Sequence, residues 1–323
     1  MAGLTIIRAG ALTTVQDLGR AHQRRAGVSL GGALDLHAAR VANLLVGNPE
    51  TAALLEITLG SARFRFPDDR LIAWCGGEFL FETGGETIPA GHRCHIRSGE
   101  ELEIAPAGCG CRAWVAISGG IDTPPVLESR ATDLRAGFGG WEGRTLRDSD
   151  ELPMGQSSML PETTARVSSW SAPIDWSQTA SERPILRVVP GPEWEEFGVE
   201  SRAMFLNERF TVSPKCDRMG ARLEGVALRR EKPEERLSET VASGTIQVPN
   251  DGQSIILLGD CQTIGGYPRI GSVITVDLSI AAQLRPNDSV RFREVTRAEA
   301  VTLFVEREND LQRFRVGLRL RAA

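Results

Sequence analysis

The amino-acid sequence predicts a mainly β fold in which short strands form closed or sandwiched antiparallel sheets. Apolar runs of a few residues recur along most of the 323-residue chain. Gly, Pro, Asn and Asp separate these runs at spacings typical of β-barrels and β-sandwiches. There is little room for the longer helical crossovers that parallel sheets require. The elements below are taken in chain order.

Two helices are predicted near the start of the chain. Residues 34–46 place their apolar side chains on one helical face, and Gly47 supplies a stop signal after them. A second, short helix is predicted over residues 48–56. Its start signals are Asn48, a favoured N-cap residue, and Pro49, which suits the first helical position.

The predicted strands lie in two groups on either side of a polar segment. Each is a short apolar or alternating run bounded by turn residues. The strands are predicted over residues 62–66, 71–74, 79–82, 92–96, 102–104 and 113–117, and then over residues 186–189, 254–258, 273–276 and 289–292.

The chain length suits about two domains of ordinary size. Residues 154–183 are rich in Ser, Thr and Pro and lack a steady apolar period, which is typical of a linker. We therefore expect one lobe over residues 1–153, including the N-terminal helices, and another over residues 184–323.

The C-terminal segment predicts a helix followed by a strand. Thr296 and Glu299 match the capping-box spacing at a helix start, so a helix is expected over residues 296–309. A final strand is expected over residues 314–320.

Composition excludes several classes of protein. The net charge of −5 argues against general nucleic-acid binding, which needs a basic face. No apolar run approaches the roughly 20 residues of a membrane span, and the first ten residues lack the pattern of a signal peptide. We therefore expect a cytoplasmic protein without a membrane partner. Its six cysteines are then expected to be reduced.

No metal site is predicted. His92, Cys94 and His95 lie near Cys109 and Cys111 in the sequence, but their spacing fits no structural zinc pattern. A P-loop is absent from the sequence, and no nucleophile elbow is predicted. No histidine can be paired with a particular Ser or Cys nucleophile.

Four segments combine Asp, Arg, Gln or Tyr with glycines, as ligand-binding loops do. Asp133 and Asp217 each lie four residues after a serine, in two short segments that form a weak internal sequence repeat. Arg donors beside a carboxylate suit a small anionic or amide ligand. The alternative is that these charges only tie loops together through ion pairs. The four segments are residues 13–35 with Gln16, Asp17, Arg20 and Asp35; residues 129–144; residues 215–223 with Asp217 and Arg218; and residues 260–269 with Asp260, Gln262, Tyr267 and Arg269.

Seven ordered motifs carry a resemblance to a known family. They are Thr13-Thr14-Val15-Gln16-Asp17-Leu18-Gly19-Arg20, Gly31-Gly32-Ala33-x-Asp35, Ala42-Asn43-x-Leu45-Val46-Gly47-Asn48, Ser129-Arg130-x-Thr132-Asp133, Asp217-Arg218-Met219-Gly220, Gln247-Val248-Pro249-x-Asp251-Gly252, and Gln262-Thr263-x-Gly265-Gly266-Tyr267-Pro268. In this order the sequence resembles the allophanate hydrolase subunit 2 family, also described as biotin-dependent carboxyltransferase subdomains A and B, which includes the C subunit of 5-oxoprolinase.

The resemblance implies two cyclophilin-like β-barrel lobes with a few short helices. It also implies a smaller companion subunit of related fold, and in one version a third subunit, in a complex that hydrolyses 5-oxoproline to glutamate with ATP. Two alternatives stay open. One is the carboxyltransferase half of a urea carboxylase, which receives carbon dioxide from carboxybiotin. The other is a non-catalytic regulatory partner.

The resemblance also suggests roles for the selected residues. Asp217 or Asp260 is expected to accept or orient a proton, and Arg218 and Arg269 to clamp an anion. Tyr267 is expected to act as a donor or a ring platform. Gln262 is expected to bind a small amide substrate, as are the first-lobe residues Gln16, Asp17, Arg20 and Asp35.

Overall fold

The computed structural model describes residues 3–157, 166–231 and 237–322. The chain forms two compact units. The first unit consists of Met1–Arg20, Gly31–Ala180 and Arg315–Ala323, and the second unit consists of Ala21–Leu30 and Ser181–Phe314. Part of the predicted linker, residues 158–165, lies outside the described residues. The expected lobe boundaries stay a prediction.

The first unit contains two antiparallel sheets. Its elements are β1 (Leu4–Arg8), β2 (Leu12–Gln16), α1 (Leu36–Leu45), β3 (Leu54–Thr58), β4 (Ala62–Arg65), β5 (Arg70–Gly76), β6 (Phe79–Thr83), β7 (Glu86–Thr87), β8 (Arg93–Ile96), β9 (Glu101–Pro106), β10 (Arg112–Ile117), β11 (Glu151–Leu152) and α2 (Ile174–Ser177). One sheet has the strand order β11-β1-β4-β9-β6-β7 and the other β2-β3-β10-β5-β8.

The main core of the first unit lies between these two sheets. One cluster of buried side chains draws on both of them. Trp74 of β5 stacks on Phe81 of β6 with ring centroids 4.2 Å apart, which joins the sheets across the core. Strands β3, β5 and β10 are buried on both faces, and α1 packs against β5 and β10. Strands with two covered faces are nearly continuous apolar runs.

Residues 48–56 do not form the predicted second helix. After a turn, the chain enters β3 at Leu54. The Asn48 amide explains the difference, because its Nδ2 donates to Asn43 Oδ1 (3.0 Å) and to the Ile117 carbonyl (2.8 Å). Its Oδ1 accepts from the backbone N–H of Gly119 at 2.8 Å. Asn48 therefore ties the end of α1 to the end of β10 and does not cap a new helix.

The second unit is a closed seven-stranded barrel with one additional two-stranded ribbon. Its elements are β12 (Ile185–Pro190), α3 (Val199–Asn207), β13 (Phe210–Val212), β14 (Gly220–Glu224), β15 (Glu239–Thr240), β16 (Thr245–Gln247), β17 (Ile255–Leu257), β18 (Ile264–Gly265), β19 (Arg269–Val273), α4 (Leu278–Ala281), β20 (Ser289–Glu294) and the first part of α5 (Arg297–Ala322), which belongs to the first unit from Arg315 onward. The barrel order is β12-β19-β16-β17-β14-β13-β20, and β15 pairs with β18. The predicted mainly β fold is confirmed.

Aromatic side chains fix α3 on the barrel. Phe205 of α3 stacks on Phe292 of β20 with ring centroids 4.4 Å apart, and Phe210 packs against both rings. The predicted strand over residues 273–276 is wrong beyond Val273. There the chain turns into a 3-10 helix, Thr275–Asp277, in which the buried Asp277 pairs with Arg187.

Helix α5 begins as predicted and runs further. Thr296 accepts from the Glu299 N–H at 3.2 Å, while the Glu299 carboxylate accepts from the Thr296 N–H at 2.8 Å. The helix continues to Ala322, so both its expected end at 309 and the strand over residues 314–320 are wrong. Residues 310–322 contain no proline to end the helix and are rich in Leu and Arg, which favour helices. None of the helices in the described part of the chain combines the length and apolar character that a bilayer crossing requires.

Candidate functional site

The second unit brings together the two predicted segments that contain Arg218 and Asp260. The backbone N–H of Leu258 donates to the Met219 carbonyl at 2.9 Å, and that of Asp260 donates to the Arg218 carbonyl at 3.1 Å. The Arg218 guanidinium then donates to both carboxylate oxygens of Asp260, at 2.8 Å and 3.1 Å. The side chains are 4% and 10% exposed. Two loops far apart in sequence are thus joined by a nearly buried, two-point ion pair.

Asp217 holds the neighbouring turn in place. Its Oδ1 accepts from the backbone N–H groups of Met219 (2.8 Å) and Gly220 (3.1 Å), and the residue is exposed. Asp133 has the same local role in the first unit, where its Oδ1 accepts from the N–H groups of Arg135 and Ala136. In both segments of the weak internal repeat, the aspartate therefore orders the two or three residues that follow it.

Tyr267 presents its side chain to solvent beside two glutamine amides. The residue is 49% exposed. Its carbonyl accepts from Nε2 of the buried Gln247 at 3.3 Å. A Cβ added at Gly265 would lie 2.7 Å from Gln247 Nε2 and 3.4 Å from Gln262 Nε2, so both amides lie against this glycine. The turn between β18 and β19 therefore combines an accessible phenol with amide groups within a few ångströms of its backbone.

Arg269 is bound by two carboxylates. Its guanidinium donates to Glu193 at 2.9 Å and 2.7 Å and to Glu239 at 2.5 Å. The hydrogen bond to Glu193 is the main cause that raises the pKa of Arg269 above its ordinary value, and the bond to Glu239 adds to it. Glu193, only 2% exposed, was not selected from the sequence. Its one sequence signal is an acidic residue directly after the Gly191-Pro192 turn. The anion-clamp role of Arg269 stays a prediction.

The first unit joins Asp17 and Arg20 to the segment after residue 125. The Asp17 carboxylate accepts from Ser129 Oγ at 2.6 Å and from the Arg130 N–H at 2.6 Å. Arg20 donates to the carbonyls of Val126 and Ala131, and its guanidinium lies 4.7 Å from the centroid of the Phe138 ring. Since both charged residues are almost fully buried in these contacts, they order the loop that surrounds them.

The side-chain oxygens of Gln16 and Asp35 differ in their hydrogen bonds. Gln16 is fully buried, and its Nε2 donates to Thr14 Oγ1 (3.0 Å) and to the Thr132 carbonyl (3.3 Å). Within the described residues, Gln16 Oε1 is buried without a hydrogen-bond partner. Asp35 caps α1 by accepting from the Ala38 N–H at 2.9 Å. Gln16 therefore keeps an acceptor without a donor among the described residues, whereas Asp35 caps a helix.

Glu56 is a buried acidic residue that the sequence reasoning missed. It is 1% exposed, and its carboxylate accepts from the Leu34 N–H at 3.0 Å and from Trp114 Nε1 at 2.8 Å. It also lies 3.8 Å from Arg112 Nε. A glutamate inside the otherwise apolar strand β3 was the available signal. Through Leu34, Glu56 holds the loop that leads into α1.

Cys261, in one of the four predicted segments, is a buried thiol. Burial, only partly offset by Arg24, raises the pKa of Cys261 to about 11. No group of three or more His, Cys, Asp or Glu residues in the described ranges could hold a metal ion.

The chain is similar to known proteins over most of its length. A family model described as carboxyltransferase domain, subdomain A and B, matches residues 26–294. The chain is 40% identical over 298 residues to the C subunit of 5-oxoprolinase from Escherichia coli, a match that covers 92% of the chain and 93% of the relative. The Haemophilus influenzae protein of the same name is 36% identical, covering 92% of each chain.

A solved structure matches over nearly the whole chain. The crystal structure of the Kluyveromyces lactis urea carboxylase superimposes with a TM-score of 0.89 at 28% identity. The match covers 97% of this chain but only 29% of that one. Its likeness therefore concerns one region of a much longer protein.

Proposed function

The chain belongs to the family of carboxyltransferase domains, subdomain A and B, and from this premise we propose that it is a subunit of an ATP-dependent 5-oxoprolinase-type complex. The complex hydrolyses the cyclic amide 5-oxoproline to glutamate. The observation that carries the proposal is the 40% identity to a 5-oxoprolinase C subunit over 92% of this chain and 93% of the relative. The match extends along both chains, as expected for a free-standing subunit of the same kind.

A companion subunit is part of the proposal. The two bacterial relatives are named as subunits, so each acts with other chains. The expected companion is a smaller protein of related fold, with a third subunit in the same complex. A cytoplasmic location belongs to the same proposal, since the reaction consumes ATP. The sequence contains no P-loop, and we assign no contact with ATP to this chain.

The turn between β18 and β19 is the proposed amide-recognising surface. A flat cyclic amide offers a ring face to stack and a carbonyl oxygen that gains negative charge when water attacks. Tyr267 is half exposed and can supply the ring contact or a hydroxyl donor, and Gln262 can supply an amide donor. Asp260 receives an orienting role because Arg218 occupies both of its oxygens.

In the first unit, Gln16 is the residue proposed to contact a ligand. Its buried Oε1 has no donor among the described residues, and an amide N–H is the group that would satisfy it. Asp17, Arg20 and Asp35 support their loops through the contacts described above.

Reconstitution tests the proposed function. The chain is combined with the subunits encoded beside it, and ADP and glutamate are measured with and without 5-oxoproline. We expect 5-oxoproline-dependent ATP hydrolysis that requires every subunit. Omitting this chain is the control. A complete, co-purifying set of subunits that leaves 5-oxoproline and ATP unchanged would contradict the proposal.

A carboxyltransferase role is the second candidate, because the urea carboxylase structure matches 97% of this chain. In that case carboxybiotin supplies carbon dioxide to a urea-like nitrogen. The N–H groups of urea suit the Gln16 acceptor equally well. Urea-dependent transfer of the carboxyl group from carrier-bound carboxybiotin, measured as N-carboxylated urea and with no response to 5-oxoproline, would favour this candidate. If alanine at Asp217 and Asp260 leaves every activity of the complex intact, a regulatory role is favoured.

A further inference from the structure

Helix α5 exposes a row of large apolar side chains. A helix turns by about 100° per residue, so these side chains fall within an arc of roughly 100° along one face. Leu311, which is buried, lies on the opposite side of the helix. The row therefore points to solvent. Its members are Val301 (54% exposed), Val305 (47%), Val316 (53%) and Leu320 (75%).

The spacing of this row is the same when read from either end. Val301 and Val305 are one helical turn apart, as are Val316 and Leu320, and the exposed polar residues Asn309 and Gln312 lie between the two pairs. When a second copy of α5 is laid antiparallel on the first, Val301 faces Leu320 and Val305 faces Val316. The two polar residues then face each other at the centre. The face is thus self-complementary about a two-fold axis.

The charges of α5 select the antiparallel direction. Residues 297–310 carry four acidic residues and two arginines, whereas residues 311–322 carry four arginines and no acidic residue. An antiparallel pair places each acidic half on a basic half, and a parallel pair places like charges together. Glu306 and Arg313 flank the same side of the row and meet across the antiparallel pair. Arg313 now bonds Asp310 at 2.7 Å, but both side chains are exposed and such pairs are weak.

We propose that α5 is a self-association surface, on which the α5 helix of a second copy of this chain packs antiparallel. The surface goes beyond the proposed function, because α5 lies after residue 294, where the match to the family model ends. The paired stretch is about 30 Å long at roughly 1.5 Å per residue. A contact of one helix with one helix is smaller than a standard interface, so the dimer is reversible and depends on protein concentration.

Sedimentation velocity on the full chain tests the proposal. A concentration series up to several hundred micromolar covers the range of weak interfaces. We expect a monomer–dimer equilibrium. The double variant Val305→Glu, Val316→Glu should weaken it at least tenfold, because it places carboxylates opposite each other where Val305 faces Val316. Phe304→Glu is the matched control, since Phe304 is also exposed on α5 but lies outside the row. It should leave the equilibrium unchanged.

A charge exchange tests the direction. Glu306→Arg and Arg313→Glu should each weaken the dimer several-fold, and the two together should restore it. Cysteine cross-linking gives an independent readout in a chain with Cys109→Ser and Cys216→Ser, which removes the two partly exposed thiols. A mixture of the Val305→Cys and Val316→Cys chains should form a mixed disulfide. The single variants should not cross-link with themselves.

Three results would overturn the proposal. They are a monomer at every concentration, a dimer that survives Val305→Glu with Val316→Glu, and a Val305→Cys chain that cross-links with itself. The first result, together with protection of α5 only in the presence of a companion subunit, would assign this face to the companion instead.

Discussion

Arg218 and Asp260 form a two-point ion pair, 2.8 Å and 3.1 Å long, between side chains that are only 4% and 10% exposed. The pair links the segment before β14 to the segment after β17. A nearly buried charge is tolerated when a partner and further hydrogen bonds offset its lost hydration. The pair therefore holds these two loops together, and its contribution to stability can be measured separately from any role of Tyr267 in turnover.

Removing Asp260 should destabilise the second unit. Asp260→Ala leaves the Arg218 guanidinium buried without its carboxylate, which should lower the free energy of unfolding by about 3 kcal/mol. Urea denaturation followed by tryptophan fluorescence measures the change. Asp122→Ala is the matched control, because Asp122 pairs with Arg130 at 2.7 Å on the surface and should cost less than about 1 kcal/mol. Equal losses in the free energy of unfolding for the two substitutions would show that the buried ion pair stabilises the chain no more than the surface pair does.

Replacing Tyr267 should impair turnover without unfolding the chain. Its side chain is half exposed, so Tyr267→Ala should change the melting temperature little. If the ring contacts the substrate, kcat/KM of the reconstituted complex should fall at least tenfold, equivalent to about 1.4 kcal/mol. Tyr267→Phe separates the ring from the hydroxyl. Ile264→Ala, 58% exposed in the same segment, is the control and should be neutral. Full activity of the Tyr267→Ala complex would remove this residue from the site.

Gln16 should affect substrate binding more than folding. Gln16→Met keeps the approximate volume but removes Oε1, and KM should rise about tenfold if this atom accepts a substrate N–H. Gln16→Met also loses the hydrogen bond to Thr14 Oγ1, which costs some stability. A variant that loses a buried hydrogen bond nearby but no substrate acceptor is therefore needed for comparison, and Thr132→Val is such a variant. It deletes the bond from Thr132 Oγ1 to the Val15 carbonyl in the same loop. Parallel changes in KM for both variants would indicate a structural role for Gln16.

Asn48 should be important for stability and not for activity. Asn48→Ala removes three side-chain hydrogen bonds, to Asn43 Oδ1, the Ile117 carbonyl and the Gly119 N–H, which should cost about 2–4 kcal/mol. Asn207→Ala, which removes one exposed bond to the Ala203 carbonyl, should cost less than about 1 kcal/mol. Thermal melts give the stability, and assays at a temperature where both variants are folded give the activity. A loss of activity in the folded Asn48 variant would contradict the structural assignment.

Cys261 should resist alkylation at ordinary pH. With its pKa raised to about 11 by burial, only about one molecule in a thousand carries the thiolate at pH 8. The fraction should rise tenfold for each pH unit until pH approaches the pKa. Iodoacetamide labelling with peptide mass spectrometry should therefore modify the partly exposed Cys109 and Cys216 first. Rapid labelling of Cys261 at pH 8 would indicate an activated thiol and reopen the question of a catalytic cysteine.

Local patterns were enough to predict α1, the start of α5 and nine of the strands, whereas β1, β2 and β3 were not predicted. Asp35, Thr296 and Gly47 act through neighbours a few residues away, so their signals are contained in the sequence itself. The predictions failed where a distant contact outweighs a local preference. Asn48 and Pro49 look like a helix start, but the Asn48 amide is bound to the end of β10, about 70 residues later in the chain.

By itself, the sequence determined a mainly β protein, its family through seven ordered motifs, and the four polar segments from which the site is drawn. Only the tertiary structure decided what each charge in those segments does. It paired Arg218 with Asp260, bound Arg269 to Glu193 and Glu239, and left Gln16 Oε1 buried without a described partner. The physical reason is that a buried side chain loses its contacts with water, so its role depends on the groups that folding brings within about 3 Å of it. In a barrel those groups come from strands far apart in sequence.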